Sequence, residues 1–262
     1  MQRTTDSFIE LVKLIQTLRG PDGCPWDRRQ TPDDVKSYLV EELYEVLEAI
    51  DRGKKELLQE EVGDLLFMIL FLTNLYEEKN TFTLREALDG IIRKMIHRHP
   101  HVFGTTGAAT VDEIKQNWQV LKEKEGKPPK KSLLDGIPAH LPSLYQAFRL
   151  TLKAAKVGFD WENPEQVFAK VREEIEELGK EIREGDRNKR EQEIGDLLFS
   201  IVNLSRHLGI EPEQALRTCN DKFMKRFAFI EQALQKQGKS TREATLQEMD
   251  ALWEEAKLTE NI

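Results

Sequence analysis

Two nearly identical heptapeptides constrain this chain more than any other feature. One is Glu61-Val62-Gly63-Asp64-Leu65-Leu66-Phe67 and the other is Glu193-Ile194-Gly195-Asp196-Leu197-Leu198-Phe199. Each sets a Glu and an Asp three residues apart at the head of a long apolar segment. Residues at that spacing share a helix face. A glycine inside a helix costs about 1 kcal/mol relative to alanine. A costly feature that recurs points to duplication of a working unit. The glycine is expected to let helices approach closely beside the acids.

The chain has 262 residues, enough for two domains of about 130 residues each. The expected division is an N-terminal helical domain over 1–125, a linker over 126–138 and a C-terminal helical domain over 139–262. The break Gly126-Lys127-Pro128-Pro129-Lys130-Lys131-Ser132 marks that linker. Apolar residues make up 39% and charged residues 33%, which suits a helix-rich, well-solvated protein. The net charge of −8 argues against nucleic acid or an anionic membrane as a partner. It leaves a phosphorylated small molecule open, because a bound cation inverts the local electrostatics. The cysteines, Cys24 and Cys219, form no Cys-x-x-Cys pair, so no zinc framework or redox motif is expected. The longest apolar run, Leu65 to Leu72, falls far short of the ~20 residues of a membrane span. With no signal-peptide core at Met1 to Asp6, a cytoplasmic protein is expected.

The periodicity predicts helix almost throughout, and no alternating strand or Asn-Gly hairpin competes with it. Ser7 is the expected cap of a first helix that stops at Gly20-Pro21-Asp22-Gly23. Thr31 with Pro32 reads as a cap followed by proline at the first helical position. Helices over 54–79, from Thr83 towards Pro100, and over 111–126 complete the first copy. The plan then repeats, with helices from Ser143, Asn163-Pro164, Lys189 and Pro212, and a last one carrying Trp253.

Each copy has a second acidic cluster one helix upstream of its heptapeptide. These are Glu41-Glu42-Leu43-Tyr44-Glu45 and Glu173-Glu174-Ile175-Glu176-Glu177. Helices joined by a short turn pack antiparallel. Glu42, Glu45, Glu61 and Asp64 then converge across one pair of helices, and Glu174, Glu177, Glu193 and Asp196 across the other. Four carboxylates held together repel unless protons or cations neutralise them. An all-oxygen set suits Mg²⁺, or Mn²⁺ in its place, and Mg²⁺ usually completes its shell with water and substrate phosphates. Solvated surface acids are the ordinary alternative. The apolar Met68 and Phe71, continuing the Glu61/Asp64 stripe, turn that stripe towards the bundle. Lys94 and Arg98, and likewise Lys222 and Arg226, share a helix face downstream, where a polyphosphate needs cations. Trp118 and Trp253 follow, each able either to stack on a base or to fill a core. A di-iron bundle would want Glu-x-x-His pairs, and none accompanies these acids.

The pattern Glu-Glu-x-x-Glu, followed one helix later by Glu-x-x-Asp, resembles the MazG family of nucleoside triphosphate pyrophosphohydrolases. Both copies carry it. Cys24-Pro25-Trp26-Asp27, His99-Pro100-His101-Val102-Phe103-Gly104 and Val157-Gly158-Phe159-Asp160-Trp161 are similar to the two-domain bacterial members. The resemblance implies an all-α fold of tandem helical domains, with a four-helix-bundle core completed by homodimerisation. It implies Mg²⁺-dependent hydrolysis of NTPs and dNTPs to the monophosphate and pyrophosphate, by metal-activated water attack at the α-phosphate. Nucleotide pool control or house-cleaning is the expected role, and a nucleotide-binding sensor with little turnover is the alternative. The resemblance makes the eight acids named above the metal ligands. It brings Lys222, Arg226 and Trp253 to the nucleotide, with Lys94, Arg98 and Trp118 as first-copy counterparts. Lys170 and Lys189 join the substrate-binding set, and Glu173, beside the ligand pair, is the candidate base.

The copies differ just beyond the repeat. Ser200 and Asn203 stand where the first copy has Met68 and Phe71, and Lys170 stands where it has Tyr38. The second site is therefore expected to be the more polar and the main catalyst.

Overall fold

The computed structural model describes residues 2–104, 110–123 and 132–259. It divides into two compact units, Met1–Lys127 and Pro128–Ile262. Among the described residues every regular element is helical. The first unit holds α1 (Gln2–Arg19), α2 (Pro32–Arg52), α3 (Lys55–Glu78), α4 (Leu84–Arg98), the single turn α5 (Pro100–Phe103) and α6 (Val111–Glu123). The second holds α7 (Ser143–Ala155), α8 (Pro164–Glu184), α9 (Arg187–His207), α10 (Pro212–Lys236) and α11 (Leu246–Thr259). None of these helices is long and apolar enough to cross a membrane.

Local chemistry accounts for most of the boundaries. Thr31 and Asp34 close a reciprocal capping box on α2, with Pro32 at the first helical position. Gly53 ends α2 in the left-handed conformation, at φ 63°. Thr83 and Glu86 form a second capping box on α4. Asn163 accepts from the Gln166 amide to start α8, and Asp186 from the Lys189 amide to start α9. Gly23 is required sterically, because a Cβ there would stand 2.2 Å from the Leu18 carbonyl oxygen. Ser7 is not a cap. It lies inside α1, where its hydroxyl donates to the Arg3 carbonyl at 3.1 Å. Nothing between Gln2 and Asp6 breaks a helix, so the helix starts more than a turn early and the hydroxyl bonds back along it.

In the first unit α2 and α3 pack as a hairpin, and α1 and α4 lie against α3. Ile15, Val35, Leu70, Phe71 and Leu75 form its buried core. In the second unit α8 and α9 form the matching hairpin, with α7 on α9 and α10 against both α7 and α11. Val167, Val171, Val202, Ile230, Leu234 and Ala256 are buried there. Part of the expected linker, Gly126 to Lys131, lies outside the described residues. Its continuation is tied down: Lys153 Nζ on α7 donates to the carbonyls of Leu133, Leu134 and Asp135 at 3.3, 3.5 and 2.8 Å.

Phe71 is 2% exposed at the centre of the first core. Truncation to alanine there is expected to cost about 3–5 kcal/mol, through lost transfer energy and an unfilled cavity. Urea unfolding of Phe71→Ala monitors this directly.

Candidate metal centre

Each helical hairpin brings its four acids to one end. The Glu42, Glu45 and Glu61 carboxylates each offer an oxygen lying within 4.8 Å of the others, and so do those of Glu174, Glu177 and Glu193. The spacing of each pair puts its two acids on one face, and the antiparallel turn sets the two faces opposite each other. Asp64 and Asp196 stand beside these triads rather than in them. Their charges are felt all the same. Burial, then Glu45, Asp64 and Glu61, raise the Glu42 pKa. Burial, then Glu177, Asp196, Glu174 and Glu181, raise that of Glu193. Like charges at this density, with only oxygen donors, could hold a metal ion.

The repeated glycine has a different surrounding from the one expected. A Cβ on Gly63 or Gly195 would meet nothing within 4 Å. Both positions are exposed, and among the described residues no neighbour packs on them.

The two sites part ways at their walls. In the second, Glu174 is 5% exposed, and Lys170 holds it at 2.8 Å and the exposed Glu173 at 3.0 Å. Those two carboxylates keep the Lys170 ammonium above the usual lysine range. A cleft of about 700 Å³ opens beside this ion pair. Its polar lining includes Lys170, Glu174, Asp196, Ser200, Asn203 and Arg206, and Phe159, Trp161 and Phe199 stand around it. In the first unit Tyr38 replaces the lysine, and Phe71, where the second unit has Asn203, is buried core with the Arg19 guanidinium 5.3 Å over its ring.

Other predicted contacts gather elsewhere. Arg226 lies 5.3 Å over the Trp253 ring, and Phe223 packs on the same indole at 5.3 Å. Arg98 lies 5.3 Å over Trp118, the same pairing in the first copy. Arg98 is 8% exposed, whereas Lys94 and Lys222 are exposed. None of Lys189, Lys222, Arg226 and Trp253 lines the cleft. The groups that do, and that periodicity alone missed, include Asp160, Arg206 and Leu134. Asp160 takes two hydrogen bonds from Arg206 and lies 2.9 Å from His207 Nε2. Its partner sits more than forty residues away, so its one signal was the Val-Gly-Phe-Asp-Trp string.

Arg206, assisted by His207 and the Trp161 amide, holds the Asp160 carboxyl at a pKa of about 2. A depressed carboxylate stabilises the fold above its unfolded pKa of about 3.9, and that contribution is lost as pH falls through the folded value. Acid titration of wild type should therefore show a loss of stability between about pH 4 and pH 2 that Asp160→Asn lacks. Denaturant midpoints across that range measure it.

The family model for the MazG nucleotide pyrophosphohydrolase domain matches this chain twice, over residues 30–103 and 162–228. Both segments contain a complete set of four acids, while Trp118 and Trp253 lie outside them. The nucleoside triphosphate pyrophosphohydrolase/pyrophosphatase MazG of Thermotoga maritima is 41% identical over 250 residues, covering 95% of each chain. A nucleoside triphosphate pyrophosphohydrolase of Escherichia coli K12 is 39% identical over 254 residues, covering 95% of this chain and 97% of that one. An uncharacterised Bacillus subtilis protein, YabN, is 43% identical over 254 residues, covering 97% of this chain and 52% of its own. With both helical hairpins matched and relatives aligned along nearly its whole length, the chain belongs to the MazG nucleotide pyrophosphohydrolase family.

Proposed function

We propose that this chain hydrolyses nucleoside triphosphates, ribo and deoxyribo, to the monophosphate and pyrophosphate at carboxylate-held Mg²⁺, with the second copy as principal catalyst. The observation that carries this reading is the cleft opening beside Glu174 and Asp196, next to a triad of carboxylate oxygens within 4.8 Å of one another. Glu174, Glu177 and Glu193, with Asp196, would hold the cation; Glu42, Glu45 and Glu61, with Asp64, form the matching set. When bound, Mg²⁺ supplies Lewis-acid polarisation of the α-phosphate and lowers the pKa of water near it.

The chain's own groups do the rest. Lys170 is held by Glu173 and Glu174 and can exchange those partners for phosphate oxygens. Glu173 is exposed beside the ligand pair, where a carboxylate can take the proton from the attacking water. Lys189 lies one turn before Glu193 on α9, and Lys222 and Arg226 lie on α10. Their proposed part is to offset phosphate charge beyond the cleft. In the first copy Phe71 occupies the position of Asn203, so that copy binds cation and contributes contacts with little turnover.

Homodimerisation belongs to the same proposal. Val62, Leu66 and Ile69 form an exposed stripe on α3, at 49, 38 and 47% exposure. Ile194, Leu198 and Ile201 repeat it on α9, at 48, 47 and 42%. Leu43 and Ile50 on α2, and Ile175 and Ile182 on α8, are exposed as well. Contiguous apolar stripes of this kind mark a face that another protein surface covers. The open glycines lie on the same helices.

Pyrophosphate release tests the assignment of the copies. Glu193→Ala is expected to lower turnover by roughly 100-fold or more, and Glu61→Ala by far less. Loss of turnover with Glu61→Ala alone would reverse the assignment. Mg²⁺ should also raise the unfolding temperature of wild type, because it binds the folded state and relieves carboxylate repulsion. The double variant Glu174→Gln/Glu193→Gln should lose that shift from the second site.

A further inference from the structure

We infer that Lys153 is a positioning residue: it holds the turn at 132–136, which falls inside the span expected to be linker, so that Leu134 forms part of the wall of the second cleft. The inference rests on the proposed function and goes beyond it, because it makes substrate binding depend on a side chain outside the site.

The turn is short and self-contained. The Asp135 amide donates to the Ser132 carbonyl at 3.1 Å, and the Ser132 amide donates to the Asp135 carboxylate at 2.9 Å. The Leu134 amide donates to Ser132 Oγ at 3.2 Å. Gly136 then leaves the turn in the left-handed region, at φ 82°. A single turn has no following helix to take up its last carbonyls. Burial holds it only in part, since Leu133 and Leu134 are 47 and 41% exposed. Lys153 Nζ supplies what is missing, meeting the successive carbonyls of Leu133, Leu134 and Asp135 at 3.3, 3.5 and 2.8 Å. An ammonium carries three donors and no acceptor, which suits it to gather the carbonyls at the end of a turn. Two turns earlier on α7, Gln146 Nε2 reaches the Pro138 carbonyl at 3.5 Å.

This fastening differs from that of the other polar groups around the cleft. Arg206 donates to Asn203 Oδ1 at 3.0 and 2.8 Å and pairs with Asp160, and all three residues belong to the lining. Leu134 is held from outside it. Leu150, Thr151 and Ala154 of α7 line the cleft, and Lys153, on the same stretch of helix, does not. One helix therefore supplies part of the wall directly and fixes another part through its lysine. Releasing the turn takes Leu134 out of the lining, while the carboxylates stay where α8 and α9 hold them. The signature is a loss of substrate binding with the acidic end and the chemical step intact.

The test uses the full chain with Mg²⁺ and a nucleoside triphosphate, followed by pyrophosphate release, together with calorimetric titration of the α,β-imido analogue. Lys153→Met keeps the stem and removes the donors. It should raise KM and weaken the analogue by about tenfold, leave kcat within about twofold, and leave the Mg²⁺ shift of the unfolding temperature unchanged. Lys153→Arg restores donors and should recover most of the affinity. Leu134→Ala removes the wall itself and should raise KM to a similar degree. Combining Leu134→Ala with Lys153→Met should then add little, because both act through one contact. An unchanged KM in Lys153→Met would overturn the inference. So would a joint loss of kcat and of the Mg²⁺ shift, which marks a general disturbance of the fold, or fully additive effects in the double variant. Wild type that binds the analogue and releases no pyrophosphate would strike the proposed reaction alone, and the binding titrations would still judge Lys153.

Discussion

Mutual repulsion of carboxylates is the interaction on which this architecture turns. A helical hairpin that points three acids at one spot resists its own folding unless something positive stands among them. Glu42 and Glu193 both have raised pKa values for this reason, with burial as the first cause and their acidic neighbours next. The second unit meets part of the difficulty with Lys170, which holds the buried Glu174. The first has a tyrosine at that position. In both units the long apolar stretch after the heptapeptide anchors the hairpin against its neighbours, so packing energy holds together what electrostatics opposes.

That division of labour lets the two copies share an acidic set and differ in the wall beside it. The acidic end depends on residues at fixed helical spacing. The wall of the site depends on positions one and two turns later, where Ser200 and Asn203 replace Met68 and Phe71. In the first unit Phe71 is core and contributes to stability. In the second the same position faces a cleft and is held by Arg206, itself held by Asp160. A residue that packs cannot also present a polar edge to a ligand, so one copy gains stability at that position and the other gains a pocket.

The capping signals at Thr31, Thr83 and Asn163 were legible because a cap is decided by residues three or four apart. Ser7 was misread for the same reason. Its capping chemistry is local, but nothing local told the preceding residues to stop being helix. The glycines of the heptapeptides read as close-packing positions, and they stand in the open. A glycine in a helical pattern signals that a side chain is absent, not which surface lies opposite. The grouping of the acids was legible from spacing and a short turn. The separation of Lys222, Arg226 and Trp253 from the cleft was not, since the direction in which α10 leaves the hairpin is a matter of packing.

The sequence by itself determined an all-helical chain, its duplication, two carboxylate sets and the polarity difference between the copies. Each of these follows from periodicities of three to four residues within a helix and from one short turn between helices. The tertiary structure alone decided that the difference in polarity becomes a cleft in one unit and a filled core in the other. It alone set the Asp160–Arg206–Asn203 relay, whose members lie on a loop and a helix more than forty residues apart. Contacts at that separation depend on how α7, α8 and α9 stack. That stacking is fixed by the shapes of many side chains together and by no short pattern.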